Sequence, residues 1–216
     1  MPPTGRLDSA RLYFVSDRTP GGRPLAAVLE PALRGGVDVF QLRDKDADDD
    51  ELLEAAGEAR ALCDAAGALF ILNDRADLVA AAGADGVHVG QDDMAIAEAR
   101  EAVGPDGIVG LSTHAADQLA AASGVDYVAI GPVHETPTKP GRPAVGLEYV
   151  RHAAAHARLP WFAIGGLDAT NVGEVIAAGA RRVVVVRAIA EAADPEVAAR
   201  GLRDAIAATG ALVGAP

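Results

Sequence analysis

Short apolar runs rich in branched and aromatic residues recur along the chain, separated by longer Ala-rich stretches with helical spacing. The runs are Leu12–Val15, Val37–Leu42, Ala68–Leu72, Gly86–Val89, Ile108–Leu111, Tyr127–Ile130, Trp161–Ile164 and Arg182–Val186. Several are almost continuously apolar, the pattern of parallel strands covered on both faces. The intervening stretches predict helices over Arg23–Arg34, Asp48–Ala66, Ala76–Ala82, Met94–Val103, Ala115–Ser123, Leu147–Ala157, Ala169–Ala178 and Pro195–Ala208. Ala-Ala-Gly at 65–67, 81–83 and 177–179 supplies the glycine that commonly closes a helix. Eight runs in 216 residues leave about 27 per unit, room for a strand, a helix and two loops. No Ser- or Pro-rich linker divides the chain, so residues 1–216 are read as one (β/α)₈ TIM-barrel domain. A doubly wound open sheet is the alternative. It normally carries a glycine-rich loop after its first strand, and Val15-Ser16-Asp17-Arg18-Thr19 has none.

Composition narrows the function. Half of the residues are hydrophobic and 23% are charged, as in a globular protein. A net charge of −12 argues against nucleic acid or an anionic membrane as partner. The lone Cys63 excludes an internal disulfide and a Cys-based zinc site, and among alanines it reads as a small core residue. The opening MPPTGRLDSA has no apolar signal region, and no apolar run reaches about 18 residues, so a cytoplasmic location is expected. A homo-oligomer is left open.

In a TIM barrel the active site lies at the C-terminal ends of the strands. There the chain places Gln41-Leu42-Arg43-Asp44-Lys45, Asn73-Asp74-Arg75, Gly90-Gln91-Asp92-Asp93, Ser112-Thr113-His114, the segment from Gly131 to Lys139, Gly165-Gly166 and Arg187-Ala188. The chain has 17 Arg but two Lys, two Asn and three Gln; five of those seven rare residues fall in these loops. Arg43, Lys45 and Lys139 supply positive charge, while Asn73, Ser112, Thr136 and Thr138 supply neutral hydrogen bonds. Asp74 and Asp93, at the ends of adjacent strands, suit one hard cation with oxygen ligands, most simply Mg²⁺. Together these groups describe a diphosphate site. Gly165-Gly166 ahead of a helix is a second anion candidate.

These residues resemble thiamine phosphate synthases. The matching pieces are QLRDK (41–45), LNDRADLVAAAGADGVHVGQDD (72–93), GLSTH (110–114), DYVAIGPVHETPTKPGRPAVG (126–146) and AIGGL (163–167), in that order. The resemblance implies joining 4-amino-2-methyl-5-(diphosphooxymethyl)pyrimidine to 4-methyl-5-(2-phosphooxyethyl)thiazole, giving thiamine phosphate and diphosphate. It further implies that Gln41, Leu42, Arg43, Asp44, Lys45, Asn73, Ser112 and Lys139 hold the pyrimidine diphosphate, with Mg²⁺ on Asp74 and Asp93. Thr136, Pro137, Thr138 and Gly166, with Val186 and Arg187, would hold the thiazole phosphate. Arg187 departs from the pattern, which often carries Ser there. Similar enzymes ionise the pyrimidine substrate, so catalysis would rest on Lys139, Arg43, Lys45 and Ser112 stabilising the leaving diphosphate.

Other features take plainer readings. The acidic run Asp46 to Glu51 is a solvated helix start; Asp49 and Ala55 stand where a calcium loop needs Gly and Glu. His152 and His156 lack a third ligand for zinc. His88, alternating with valines, reads as an interior hydrogen-bonded residue, while His114 and His134 stay unassigned. Loop 132–145 carries four prolines and Gly141, which predicts a partly stiff lid. Three other functions remain as alternatives: a thiazole tautomerase-like or regulatory homologue without coupling activity, a sugar-phosphate isomerase, and a binding scaffold. The joint presence of Arg43, Lys45, Asn73, Asp74, Asp93 and Lys139 argues against the first; the second needs a positioned acid–base pair, whereas Asp74 and Asp93 are better explained as ligands; the third has no reason to collect rare polar residues at one barrel end.

Overall fold

In the computed structural model, which describes residues 3–136 and 143–210, eight parallel strands close on themselves, each pairing with the next and β8 with β1. The strands are β1 (Leu12–Ser16), β2 (Val39–Leu42), β3 (Leu69–Asn73), β4 (Gly86–Val89), β5 (Ile108–Thr113), β6 (Tyr127–Ile130), β7 (Trp161–Ile164) and β8 (Val183–Val185). Helix α1 (Pro3–Ser9) precedes the barrel. Between strands run α2 (Leu25–Arg34), α3 (Asp49–Ala66), α4 (Val79–Ala82), α5 (Ile96–Val103), α6 (Ala116–Ala121), α7 (Gly146–His156) and α8 (Val172–Ala177); α9 (Arg187–Ala190) and α10 (Pro195–Gly210) follow β8. The architecture is the TIM barrel that the alternating pattern predicts.

Helices α1 and α9 were not legible in the apolar pattern. Only Leu7 of α1 is buried, and four residues of α9 are too few to show a period. The expected helix over 76–82 is a 3₁₀ turn, Ala76–Leu78, running into the single turn of α4. The acidic run behaves as a helix start: Asp48 accepts from the Glu51 amide at 2.9 Å and Glu51 accepts from the Asp48 amide at 3.2 Å. Cys63 is fully buried, and burial pushes its thiol up to about 12.

Successive residues of a strand point to opposite faces, so closure sorts the chain into two cores. Leu12, Phe14, Phe40, Leu42, Phe70 and Leu72 face outward into the layer between barrel and helices. Tyr13, Val15, Val39, Leu69, Ile71, Ile108, Tyr127, Phe162 and Val184 fill the interior, joined by Leu7 of α1 at the N-terminal mouth. Gly110 makes this filling feasible: a Cβ there would lie 2.2 Å from Cζ of Tyr127. By register, Gln41 lies beside Val15 and Ile71, Asn73 beside His88, and Ser112 beside Ala129.

The N-terminal ends of the strands are tied by a recurring device. The residue before β2, β4 and β6 is an aspartate that accepts a main-chain N–H from the preceding strand. Asp38 takes Leu12 at 2.9 Å, Asp85 takes Phe70 at 2.8 Å and Asp126 takes Val109 at 2.8 Å. Each also meets an arginine from the helix layer: Arg203 of α10, Arg60 of α3 and Arg100 of α5. Before β8 the position is Arg182, which instead donates to the Asp8 carbonyl at 2.9 Å. Removing one such carboxylate orphans an N–H and an arginine together. We therefore expect Asp85→Ala, which also frees Arg6, to cost about 2 kcal/mol and to lower the melting temperature by about 4–8 °C. Asp64→Ala, at a 68% exposed partner of the same Arg60, should stay within about 2 °C in the same thermal melts.

Candidate active site

At the opposite end, the β3–β4 edge carries a cluster of charge. Asp74 follows the last residue of β3 in the left-handed conformation (φ 63°), which Asp and Asn tolerate better than most side chains. Its amide donates to the His88 carbonyl at 2.9 Å, fixing it against β4. Asp93 is brought round by the loop after β4, where its Oδ2 accepts from the Gly90 amide at 2.7 Å. The two carboxylates lie within hydrogen-bonding reach of one another, and Lys45 Nζ stands 3.4 Å from Asp74 Oδ2. Burial, then the facing Asp93, push the Asp74 carboxyl above the ordinary carboxylate range, with Lys45 pulling it back.

Two converging carboxylates that repel each other make a donor set suited to a hard divalent cation. Among the described residues no group of three or more His, Cys, Asp or Glu gathers to hold a metal.

A cavity of about 250 Å³ opens at the ends of β5 to β8, with Ser112, His114, Thr136, Gly166, Val186 and Arg187 in its lining. Ser112 projects inward from β5, 8% exposed, with its Oγ 2.9 Å from His88 Nε2. Its carbonyl accepts from Gln91 Nε2 at 2.7 Å, which ties the β4 and β5 loops together. On the far wall, Gly166 has φ 64°, and a Cβ there would meet the Glu135 carbonyl at 2.8 Å. Asn171 donates to the Gly166 carbonyl at 2.7 Å, and Asp168 accepts from the Thr170 amide and hydroxyl at 2.7 and 2.6 Å. Those Thr170 bonds hold the Asp168 carboxyl below its ordinary range.

The structure distributes the expected site residues unevenly. Gln41 points into the barrel, its amide donating to Tyr13 OH at 2.7 Å. Leu42 has outward parity and packs in the outer core, so only its main chain faces the loops. Asp44 is already engaged: Oδ1 accepts from the Asp46 and Ala47 amides and Oδ2 from Arg18 at 2.7 Å. Burial raises its carboxyl, but the Asp46 and Arg18 contacts outweigh this and hold it low. Its side chain therefore shapes the loop that presents Arg43 and Lys45. The helix after Gly165-Gly166 begins only at Val172, so no helix N-terminus stands at those glycines; the chain starts a helix at the pocket at Arg187. Pro137, Thr138 and Lys139 lie outside the described residues. No motif in the sequence assigns His114 a role. It lines the cavity with Nδ1 2.5 Å from the Gly131 carbonyl, and its position directly after Ser112-Thr113 was the available signal.

Residues 12–189 match the family model described as thiamine monophosphate synthase. The chain belongs to that family. It is 51% identical over 210 residues to the thiamine-phosphate synthase of Thermobifida fusca, covering 95% of this chain and 96% of that one. The Thermus thermophilus thiamine-phosphate synthase is 54% identical over 200 residues, covering 90% and 96%. The chain spans about half the length of the Nostoc sp. relative of the same name: 52% identity over 191 residues covers 88% of this chain and 54% of that one. Among solved structures, the thiamine phosphate pyrophosphorylase of Pyrococcus furiosus superposes with a TM-score of 0.85 at 32% identity, covering 94% of this chain and 98% of that one. No helix among the described residues is long and apolar enough to cross a membrane.

For this thiamine monophosphate synthase family member, the raised Asp74 carboxyl sets a sign for stability against pH. A carboxyl raised in the folded state favours folding most when it is protonated. Its contribution is therefore complete below about pH 4 and is lost as pH rises through the raised value. Asp74→Asn, which keeps a residue suited to positive φ, should raise the melting temperature in EDTA by about 1–3 °C at neutral pH, allowing for solvent screening. The gain should vanish below about pH 4; thermal melts at both pH values check it.

Proposed function

We propose that the chain is a thiamine-phosphate synthase. It joins 4-amino-2-methyl-5-(diphosphooxymethyl)pyrimidine to 4-methyl-5-(2-phosphooxyethyl)thiazole, giving thiamine phosphate and diphosphate. The observation that carries the reading is Ser112. It sits at once in the cavity wall and, through Gln91, against the loop that bears Asp93, so one residue adjoins both the acidic corner and the pocket. A diphosphate resting between Lys45, the carboxylate pair and Ser112 would place the pyrimidine methylene toward the pocket. The thiazole phosphate would lie at Thr136, Gly166, Val186 and Arg187.

Asp74 and Asp93 are suited to holding Mg²⁺, which when bound supplies positive charge to a diphosphate. Lys45, Arg43 and Lys139 add cationic charge, and Ser112 adds a neutral donor to the leaving group. The C–O bond breaks with its electron pair going to diphosphate, and the aminopyrimidine ring stabilises the methylene cation left behind. The thiazole nitrogen then gives its lone pair to form the C–N bond. No proton need be removed from either ring, so the absence of a nucleophile–base pair from this reading costs the mechanism nothing. What the protein must supply is alignment and charge.

Purified protein given both phosphorylated halves should form thiamine phosphate with Mg²⁺ and lose that activity in EDTA. Binding of thiazole phosphate without any product would instead identify a homologue lacking the coupling activity. In a synthase, Lys139→Ala should lower kcat by about 10²-fold while the Kd for thiazole phosphate stays within about threefold. Equal losses in kcat and thiazole phosphate affinity would remove Lys139 from the diphosphate.

A further inference from the structure

Four hydrogen bonds in series cross the barrel interior. Gln41 Nε2 lies 2.7 Å from Tyr13 OH, and Tyr13 OH lies 2.8 Å from Tyr127 OH. Tyr127 OH is 3.0 Å from His88 Nδ1, and His88 Nε2 is 2.9 Å from Ser112 Oγ. The five residues stand on β2, β1, β6, β4 and β5, and the two tyrosines are 1% and 0% exposed. Among the described residues neither hydroxyl has another polar partner.

The chain has a direction, and its start sets it. The Gln41 amide nitrogen can only donate, so Tyr13 oxygen accepts. With the Gln41 amide so oriented, the single Tyr13 proton has one place to go, the Tyr127 oxygen; any other arrangement would then bury an O–H without an acceptor. Tyr127 in turn donates to His88 Nδ1, which makes Nε2 the protonated ring nitrogen. His88 Nε2–H donates to Ser112 Oγ, and the Ser112 proton is left to point into the cavity that Ser112 lines. A phosphate oxygen can only accept, so this is the polarity a diphosphate needs.

We propose that Tyr127 is a positioning residue. Acting through His88, it aims the Ser112 hydroxyl proton at the anionic substrate, and Gln41 and Ser112 form the two ends of one directional hydrogen-bond chain through Tyr13. The proposal rests on the synthase reading for what Ser112 touches, and on the interior geometry alone for the direction of the chain.

The test is therefore in two parts. Nitrogen-15 NMR of the ligand-free protein should show His88 as the Nε2–H tautomer, and Tyr127→Phe should abolish that preference while the protein stays folded. An Nδ1–H tautomer in the unsubstituted protein overturns the proposal whatever the protein catalyses. In the coupling assay, Tyr127→Phe should lower kcat about tenfold with the KM for thiazole phosphate within about twofold. It should cost less than about twofold more when added to Ser112→Ala, because the two act through one link. Tyr13→Phe, which leaves Tyr127 still able to donate to His88, should cost less than Tyr127→Phe; equal losses would mean that the tyrosines matter only as packing. Fully multiplicative effects of Tyr127→Phe and Ser112→Ala likewise overturn it. An unsubstituted protein that makes no thiamine phosphate but shows the Nε2–H tautomer defeats the synthase reading and leaves the chain standing. Should Tyr127→Phe fail to fold, the tautomer of the unsubstituted protein and the kinetics of Tyr13→Phe in the Ser112→Ala background decide the matter.

Discussion

Closure of eight strands leaves an interior wide enough for side chains and nothing more. Each strand must deliver every second residue into that space, and the rest of the molecule follows from this constraint. Tyr13 and Tyr127 each meet Phe162 edge to face and lie tilted to one another, with ring centroids 5.4–6.0 Å apart, because Gly110 vacates the room that a side chain would take. The same parity carries Gln41, His88 and Ser112 inward near the C-terminal mouth. Polar groups so buried have to satisfy one another. They do so in a line, which is how a packing constraint becomes a chemically directed array.

The strands were legible because parallel strands covered on both faces must be apolar nearly throughout, and here those runs are rich in branched and aromatic residues where the other apolar stretches are rich in Ala and Gly. That same uniformity hides parity. Val39–Leu42 is buried at every position, so nothing in its apolar pattern says that Gln41 faces in and Leu42 out. The acidic corner was legible for a different reason: Lys, Asn and Gln are scarce in this chain and collect at strand ends. Whether a carboxylate in such a loop meets a ligand or the loop itself depends on partners distant in sequence. Asp44 is occupied by Arg18, 26 residues away, and no local motif announces it. The strand-start aspartates 38, 85 and 126 were unread because they are unevenly spaced and each pairs with an arginine from a different helix.

The two ends of the barrel use one residue type to opposite effect. At the N-terminal end each aspartate accepts a main-chain N–H and faces an arginine, so its charge is offset within the protein. At the C-terminal end Asp74 faces another carboxylate, with Lys45 3.4 Å away, and its backbone is held at positive φ. A fold selected only for stability has no reason to keep such a pair, since residual repulsion and a left-handed aspartate both act against it. Two carboxylates so placed are a donor set suited to a hard cation. In a chain of net charge −12, one residue type thus ties strand ends together at one mouth and sets two carboxylates face to face at the other.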